Sequence, residues 1–231
     1  MIPKIIHYCW FGRGKMPRVA RECIQTWHKH MPDYEFRLWN EDNSPMVHPF
    51  VRSAYSAGKY AFVADYVRFW ALYNFGGIYL DTDMYVIRDF SPLLETNFFG
   101  GWETPMATPA ELRNDADCNI SCGVLGARAF GVEIKEILDE YDKLLFSEDD
   151  RDKLVVPRII TPILMKHKES ITIYPYDYFY PLPFYNRFEK DKMHYNTLNT
   201  YAVHLWNLSW VPLWEQYLSR LIRRVKKIFN K

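Results

Sequence analysis

The chain has 231 residues, enough for one large domain or two small ones and for a sizeable core. Its formal net charge is +1, from 29 Lys and Arg against 28 Asp and Glu, which excludes the global positive field expected of a nucleic-acid binder. Aromatic residues make up 17% of the chain, an excess that suits stacking on flat bases or sugar faces and equally suits a ring-rich core.

The opening segment MIPKIIHYCWFG reads as too polar and short for a signal peptide, and no run of about 18 apolar residues predicts a bilayer span. A first strand is predicted over 4–10, closed by the turn FGRGKMP. A helix follows over 17–30, with Val19, Cys23, Ile24 and Trp27 on one face. YEFRLWN, 34–40, alternates as a second strand, and a short helical piece near 47–57 ends at Gly58. The longest helical pattern, KYAFVADYVRFWALYNFGG, stops at Gly76-Gly77. The strand Ile78-Tyr79-Leu80 comes next, followed by MYVIRDF as an extended piece.

Strands and helices therefore alternate through the first ninety or so residues, which predicts an α/β fold with a mostly parallel central sheet and flanking helices. Later strands are expected at 98–103 and 122–127, helices at 130–147 and 157–167, a short strand at ITIYP, and a strand and turn over 200–210. The Tyr- and Pro-rich stretch YDYFYPLPFYNRFEKDK should be irregular but packed. One domain is expected over 1–213, followed by a basic amphipathic helix over 214–231 with apolar positions at 217, 218, 221, 222, 225, 228 and 229. The four cysteines, Cys9, Cys23, Cys118 and Cys122, form no CxxC pair and read as free thiols.

Chemistry concentrates where the strand Ile78-Tyr79-Leu80 runs into Asp81-Thr82-Asp83. In an open α/β sheet ligands bind beyond the carboxyl ends of the strands. If the chain stays extended, residues two apart point the same way, and two carboxylates aimed together repel unless a cation or proton lies between them. Mg²⁺ and Mn²⁺ take carboxylate oxygens and bridge to phosphate, so the pattern points to a metal holding a diphosphate. A D-x-D triplet also occurs in ordinary turns; the apolar strand and the Gly-Gly stop before it favour a site. Asp65 and Arg68 are three apart on the preceding helix and share a face. Their apolar and aromatic neighbours predict a buried or cleft-lining pair rather than a surface one.

The block AFVADYVRFWALYNFGGIYLDTDMYV, 61–86, resembles the signature of the DXD-containing sugar transferases of glycosyltransferase family 32. That group includes bacterial capsular and O-antigen (lipopolysaccharide) transferases and yeast-type mannosyltransferases, and is similar to the catalytic domains of the large clostridial glucosylating toxins. IPKIIHYCWFG at the start and AVHLWNLSW near the end resemble the family's opening strand and closing motif, in the same order and spacing.

The resemblance implies a GT-A fold and metal-dependent transfer of a hexose, with retention at the anomeric carbon, from a nucleotide diphosphate sugar, UDP-linked in preference to GDP-linked. Asp83 would bind Mn²⁺ or Mg²⁺ directly, and Asp81 would hold the ribose or sugar and support the metal through water. His204 is the matching position for a further metal ligand; by itself it reads as a core histidine. Asp65 and Arg68 would grip the donor sugar hydroxyls and steady the departing phosphate. Trp10 and, less clearly, Tyr8 would stack on the base, with His7 on the opposite side of the sheet. Trp206 would approach the diphosphate through its indole N–H, with Ser209 and Trp210 as weaker candidates. Where related enzymes often carry Asn before the GVLGA segment this chain has Cys122, with Asn119 three residues earlier.

The implied acceptor is an oligosaccharide or lipid-linked glycan. With the basic terminal helix this predicts a cytoplasmic enzyme, peripheral on an anionic inner membrane face. Two rivals use some of the same residues. A metal-dependent nucleotide phosphohydrolase would share the aspartates but needs more ligands for a two-metal site. A non-catalytic sugar- or lipid-binding module would explain the rings and the basic tail but not the Asp-Thr-Asp.

Overall fold

In the computed structural model, residues 1–105 and 119–207 are described. The predicted helix over 214–231, with Cys118, Ser209 and Trp210, lies outside them. A six-stranded sheet has the order β2 (Glu35–Trp39), β1 (Ile5–Cys9), β3 (Gly77–Leu80), β6 (Ile120–Ala127), β5 (Phe98–Trp102), β7 (Thr172–Tyr174). β1 pairs in parallel with β2 and β3, and β5 with β7; β6 runs against both of its neighbours, β3 and β5. Five strands thus share one direction, as the alternation of elements requires. A two-stranded antiparallel ribbon, β4 (Met84–Val86) with β8 (Ala202–His204), stands apart from the sheet.

The two faces of the sheet carry separate cores. Tyr79 and Cys9 point to one face, where they meet α2 (Pro49–Ser56), α3 (Tyr60–Phe75), α4 (Val132–Tyr141) and α5 (Val156–Lys166). Ile6, Ile78 and Leu80 point to the other, against Trp27 of α1 (Arg18–His30), the ribbon, and Phe179 and Tyr180. His7 lies on the first face, against Trp39 and Phe75, and Tyr8 on the second, against Trp27, as their alternation predicts. α1 fixes the ribbon by polar contacts too: the Trp27 indole donates to the Met84 carbonyl at 2.6 Å, and the Val86 N–H donates to Thr26 Oγ1 at 3.0 Å.

α3 is apolar nearly all round because it is buried among β1, β3, α2 and α4. It ends at Gly76 (φ 62) and Gly77 (φ 107), where the left-handed backbone turns the chain back into β3. Close packing forbids a side chain here as well, because a Cβ on Gly77 would sit 2.6 Å from the Ile5 carbonyl. α2 begins at Pro49, whose missing N–H costs nothing at a first helical position. α4 ends at Tyr141 rather than near 147, so that Phe146 can leave the helical path. Phe146 packs 4.8 Å from Phe62, and its N–H donates to Ser53 Oγ. The Tyr- and Pro-rich stretch forms short 3-10 turns with Phe179, Tyr180 and Leu182 buried, packed and irregular as expected.

Candidate active site

Asp81 follows the last residue of β3, at the carboxyl end of the parallel strands. Its N–H donates to the Gly123 carbonyl at 2.9 Å, and its own carbonyl accepts from the Met84 N–H at 3.0 Å. Asp81, Thr82 and Asp83 therefore form a turn between β3 and β4, where the apolar strand is expected to end, so the two carboxylates are not aligned by extended chain. Sheet and ribbon diverge at this point, and the turn takes up the change of direction. The two carboxylates still converge, and the ribbon, which sets His204 opposite Met84, brings the imidazole to the same turn.

His204 Nε2 lies 3.1 Å from Asp83 Oδ1, while Asp83 Oδ2 accepts the Asn207 N–H at 2.8 Å. Leu205 N–H donates to the Asp83 carbonyl at 3.0 Å. One ligand atom each from Asp81, Asp83 and His204 falls within 4.8 Å of the other two. His204 Nδ1 is buried with no hydrogen-bond partner among the described residues. Two carboxylate oxygens and an imidazole nitrogen suit Mn²⁺ and accommodate Mg²⁺, so these residues fit the predicted ion. Burial works against the Asp83 carboxylate, but the charge and hydrogen bond of His204 and the Asn207 N–H outweigh it and lower its pKa. Burial likewise works against charged His204, and Asp83, then Asp81 and Glu103, outweigh it and raise its pKa above 6.5.

Asp81 is tied to the other face of the sheet. Tyr79 OH donates to Asp81 Oδ1 at 3.1 Å, and Arg68 Nη1 lies 3.4 Å from the same oxygen. Arg68 Nη2 donates to Asp65 Oδ1 at 2.6 Å, Nη1 donates to the Cys122 carbonyl at 2.7 Å, and the guanidinium lies 4.5 Å over the Tyr79 ring. The Asp65–Arg68 pair is inside the protein, with side chains 13% and 5% exposed, as its apolar surroundings predicted. Burial pushes the Asp65 carboxyl up to about 7, against the pull of Arg68. Each terminal nitrogen of Arg68 donates one N–H to a protein oxygen, and its Nε is buried without a partner among the described residues. The guanidinium is thus a strut for Asp65 and Asp81, held inside the protein.

The ring residues are distributed unevenly. Trp206 stands next to the metal triad, its ring 4.0 Å from that of His204, with a left-handed backbone (φ 53) that few non-glycine residues adopt. Its indole N–H donates to the Leu182 carbonyl at 2.8 Å, so it offers the site a ring face or edge rather than the predicted N–H. Trp10 is half-buried just past β1, its indole donating to the Gly14 carbonyl at 2.6 Å. Tyr8 is half-buried edge-on against Trp27, 5.5 Å between centroids. Cys122 contributes its carbonyl to Arg68, and its thiol is raised well above the usual range by burial.

Two residues at the site escaped the sequence reading. Gly123 packs closely against the site, since a Cβ there would lie 3.2 Å from Asp81 Oδ2 and 3.4 Å from the Tyr180 hydroxyl oxygen, so that a neighbour would have to give way. Glu103 follows β5, half-buried, its pKa raised by burial against the pull of His204. FFGGWE ends an apolar strand on an acid, the same signal that marked Asp81.

Residues 17–99 match the family described as "Glycosyltransferase sugar-binding region containing DXD motif". This part of the chain is similar to the DXD regions of glycosyltransferases. It holds Asp65, Arg68, Asp81 and Asp83, while His204 and Trp206 lie beyond it. The chain is 32% identical over 134 residues to the "Inositol phosphoceramide mannosyltransferase 3" of Schizosaccharomyces pombe, covering 54% of this chain and 33% of that one. It is 29% identical over 157 residues to the "Mannosyl phosphorylinositol ceramide synthase SUR1" of Saccharomyces cerevisiae, covering 63% and 37%. The chain therefore spans about a third of the length of these two relatives. A fuller match, 27% identity over 92% of this chain and 85% of the other, is the "Uncharacterized glycosyltransferase L373" of Acanthamoeba polyphaga mimivirus. Among solved structures, the "PaToxG Glycosyltransferase" superposes with a TM-score of 0.54 at 17% identity, over 73% of this chain and 70% of that one. The fold of this chain is accordingly the GT-A type that the resemblance implied.

Proposed function

We propose that this chain transfers a hexose from a nucleotide diphosphate sugar to a hydroxyl of a glycolipid or glycan acceptor, with retention of anomeric configuration. The observation that carries the reading is the Asp81–Asp83–His204 triad at the carboxyl end of the sheet, inside and just beyond a DXD region. A divalent cation held by these residues, Mn²⁺ in preference to Mg²⁺, would supply positive charge to the oxygens of the diphosphate as the sugar leaves.

The chain's own groups divide the remaining work. Arg68 and Tyr79 hold Asp81 in one orientation, so the site is arranged before the donor arrives. Asp65 uses one oxygen to bind Arg68 and keeps the other for a sugar hydroxyl. Tyr8 and Trp10 flank the end of β1, where a nucleotide base would stack, an interaction worth roughly 1–3 kcal/mol per base. As the bond to the anomeric carbon lengthens, that carbon gains oxocarbenium character. Attack from the same face, with the departing phosphate taking the acceptor's proton, gives retention without a covalent intermediate.

The relatives' names point to mannose as the sugar and to an inositol phosphoceramide as the kind of acceptor, a phosphorylated glycolipid. This takes the acceptor toward sphingolipid rather than toward the capsular or O-antigen glycans of the sequence resemblance. UDP remains the favoured nucleotide from that resemblance, and GDP the other. No helix among the described residues is long and apolar enough to cross a membrane. A lipid-linked acceptor and the basic sequence over 214–231 support action at an anionic, cytoplasmic membrane face.

The test is donor hydrolysis without acceptor. UDP- and GDP-sugars, mannose included, are screened with Mn²⁺, with and without EDTA, on the wild type and Asp83→Ala. Nucleotide binding is measured alongside by calorimetry. Metal-dependent release of one nucleotide, lost in Asp83→Ala, supports the transferase and names the donor. Release of inorganic phosphate instead would favour a phosphohydrolase. Neither turnover nor metal-dependent nucleotide binding would leave only a binding module.

A further inference from the structure

A histidine that binds a metal through one ring nitrogen ordinarily donates the other N–H to a carboxylate, a carbonyl or water, and that bond sets the plane of the ring. His204 has no such bond: with Nε2 turned to Asp83, its Nδ1 is buried without a partner among the described residues. Its side-chain neighbours are aromatic instead. Tyr180 meets the imidazole edge-on, 5.8 Å between centroids and 81° between planes, and the Trp206 ring lies 4.0 Å away. Both rings belong to one clamp. The Phe179 carbonyl accepts the His204 N–H at 3.2 Å, and the Leu182 carbonyl accepts the Trp206 indole N–H at 2.8 Å. Residues 179–182 thus hold the 204–206 segment at both ends.

Tyr180 is itself pinned to the sheet. It is only 1% exposed, and its hydroxyl accepts the Val124 N–H at 2.9 Å, where the register between β5 and β6 shifts. The Ser121 side chain shares the same hydroxyl. Val124 pairs with Leu80, the residue before Asp81, and the neighbouring Gly123 carbonyl accepts the Asp81 N–H. The hydroxyl therefore sits on the strand that holds Asp81, while the ring sits on His204. One side chain spans the two elements that bring the candidate ligands together. We propose that Tyr180 is a positioning residue for the metal site: its ring, fixed on β6 by the hydroxyl, sets the plane of the His204 imidazole in place of the missing hydrogen bond. This rests on the transferase reading above, through the metal ion that reading requires. Aromatic pairs prefer the edge-to-face arrangement seen here, so the contact selects one ring orientation and does not merely fill space.

Mn²⁺ binding to the full chain is titrated by electron paramagnetic resonance, with and without UDP or GDP, for the wild type, Tyr180→Phe, Tyr180→Leu and Phe90→Leu. Thermal midpoints are recorded, and the spin echo of bound Mn²⁺ is measured on the same samples, because its nitrogen modulation reports a directly bound imidazole. Phe90 is buried in the same core, against Phe179 and Tyr201, and controls for the loss of a ring there. Tyr180→Leu should weaken Mn²⁺ affinity about tenfold or more, as for loss of an outer partner of a metal ligand, and should reduce the nitrogen modulation. Tyr180→Phe keeps the ring but cuts its tie to β6, so it should fall between Tyr180→Leu and the wild type. Phe90→Leu should lower the thermal midpoint and leave affinity and modulation unchanged. Wild-type affinity and modulation in both Tyr180 variants overturn the assignment and leave the transferase reading standing. A loss of affinity with full modulation overturns it as well, as does an equal loss in Phe90→Leu, because Tyr180 would then support the core and not the imidazole. If Tyr180→Leu does not fold, Tyr180→Phe decides by the same readings. Mn²⁺ bound to the wild type without nitrogen modulation takes His204 out of the metal site, and this assignment with it, but not the transferase reading. No Mn²⁺ binding by the wild type, with nucleotide or without, removes both.

Discussion

His204 Nε2 lies 3.1 Å from Asp83 Oδ1, across 121 positions of sequence. The antiparallel ribbon of β4 and β8 makes the contact, with Met84 opposite His204. The histidine is therefore placed by the strand that leaves the DXD turn, and any ligand of Asp83 must also reckon with His204. His204→Ala should lower Mn²⁺ affinity by at least about 100-fold, since even outer partners of a metal ligand cost about 10–100-fold. Asp83→Ala should do the same. Electron paramagnetic resonance titration checks both, and Mn²⁺ affinity within a factor of about three of wild type in either variant would remove that residue from the metal site.

The same pair dictates a pH dependence. The pKa of His204 is raised above 6.5 and that of Asp83 lowered below 3.8. The histidine's contribution to apo stability is complete below pH 6.5 and is lost as pH rises through its folded pKa. The aspartate's is complete above 3.8 and is lost as pH falls through its folded pKa. The pair therefore stabilises the metal-free protein most between those two values. A metal must displace the histidine proton, so Mn²⁺ affinity should rise as pH climbs above 6.5, with protons released on binding. Calorimetry in buffers of different ionisation enthalpy measures that release; a flat affinity between pH 6 and 8 would count against His204 as a ligand.

Arg68 is predicted to be a stability residue first. Arg68→Met leaves Asp65 and Asp81 without their shared cation, and breaking a buried pair in this way costs about 3–5 kcal/mol. Urea denaturation of the metal-free protein should show a loss of that size. Arg68→Lys should recover only part of it, because one ammonium cannot reproduce the fork that reaches Asp65 and the Cys122 carbonyl together. A loss near zero for Arg68→Met would mean that the guanidinium is not the strut described.

Gly123→Ala puts a methyl group 3.2 Å from Asp81 Oδ2 and 3.4 Å from the Tyr180 hydroxyl oxygen. Crowding of this kind costs about 1–3 kcal/mol. The added group also pushes on a candidate metal ligand, so Mn²⁺ binding should weaken while the fold survives. Circular dichroism and Mn²⁺ titration on one sample separate the two effects; a variant that melts early yet binds Mn²⁺ normally would show that Asp81 has room to move.

Front-face transfer predicts no glycosyl-enzyme intermediate. Mass spectrometry of the enzyme quenched during donor turnover should show the unmodified chain. Glu103 is the residue on which to look for the contrary result, since it is a half-buried carboxylate within electrostatic reach of His204. A hexose adduct there would replace front-face attack with double displacement.

Local signals were enough for the elements and for half of the site. The 3.6-residue pattern and the Gly-Gly stop marked α3, alternation marked β1 and β2, and the alternating order of strands and helices implied a parallel sheet. Asp65, Arg68, Asp81 and Asp83 stood out because charge is conspicuous in apolar surroundings, and all four lie within nineteen positions of sequence. Only tertiary structure decided how those charges are used. The turn at Asp81–Asp83 depends on where the ribbon leaves the sheet, and His204 reaches it through a strand pairing whose register is a long-range property. Arg68 is braced because the Cys122 carbonyl on β6 comes within 2.7 Å of it. Sequence periodicity reports which face of an element is apolar; it carries no record of which distant hydrogen-bond donor each carboxylate will meet.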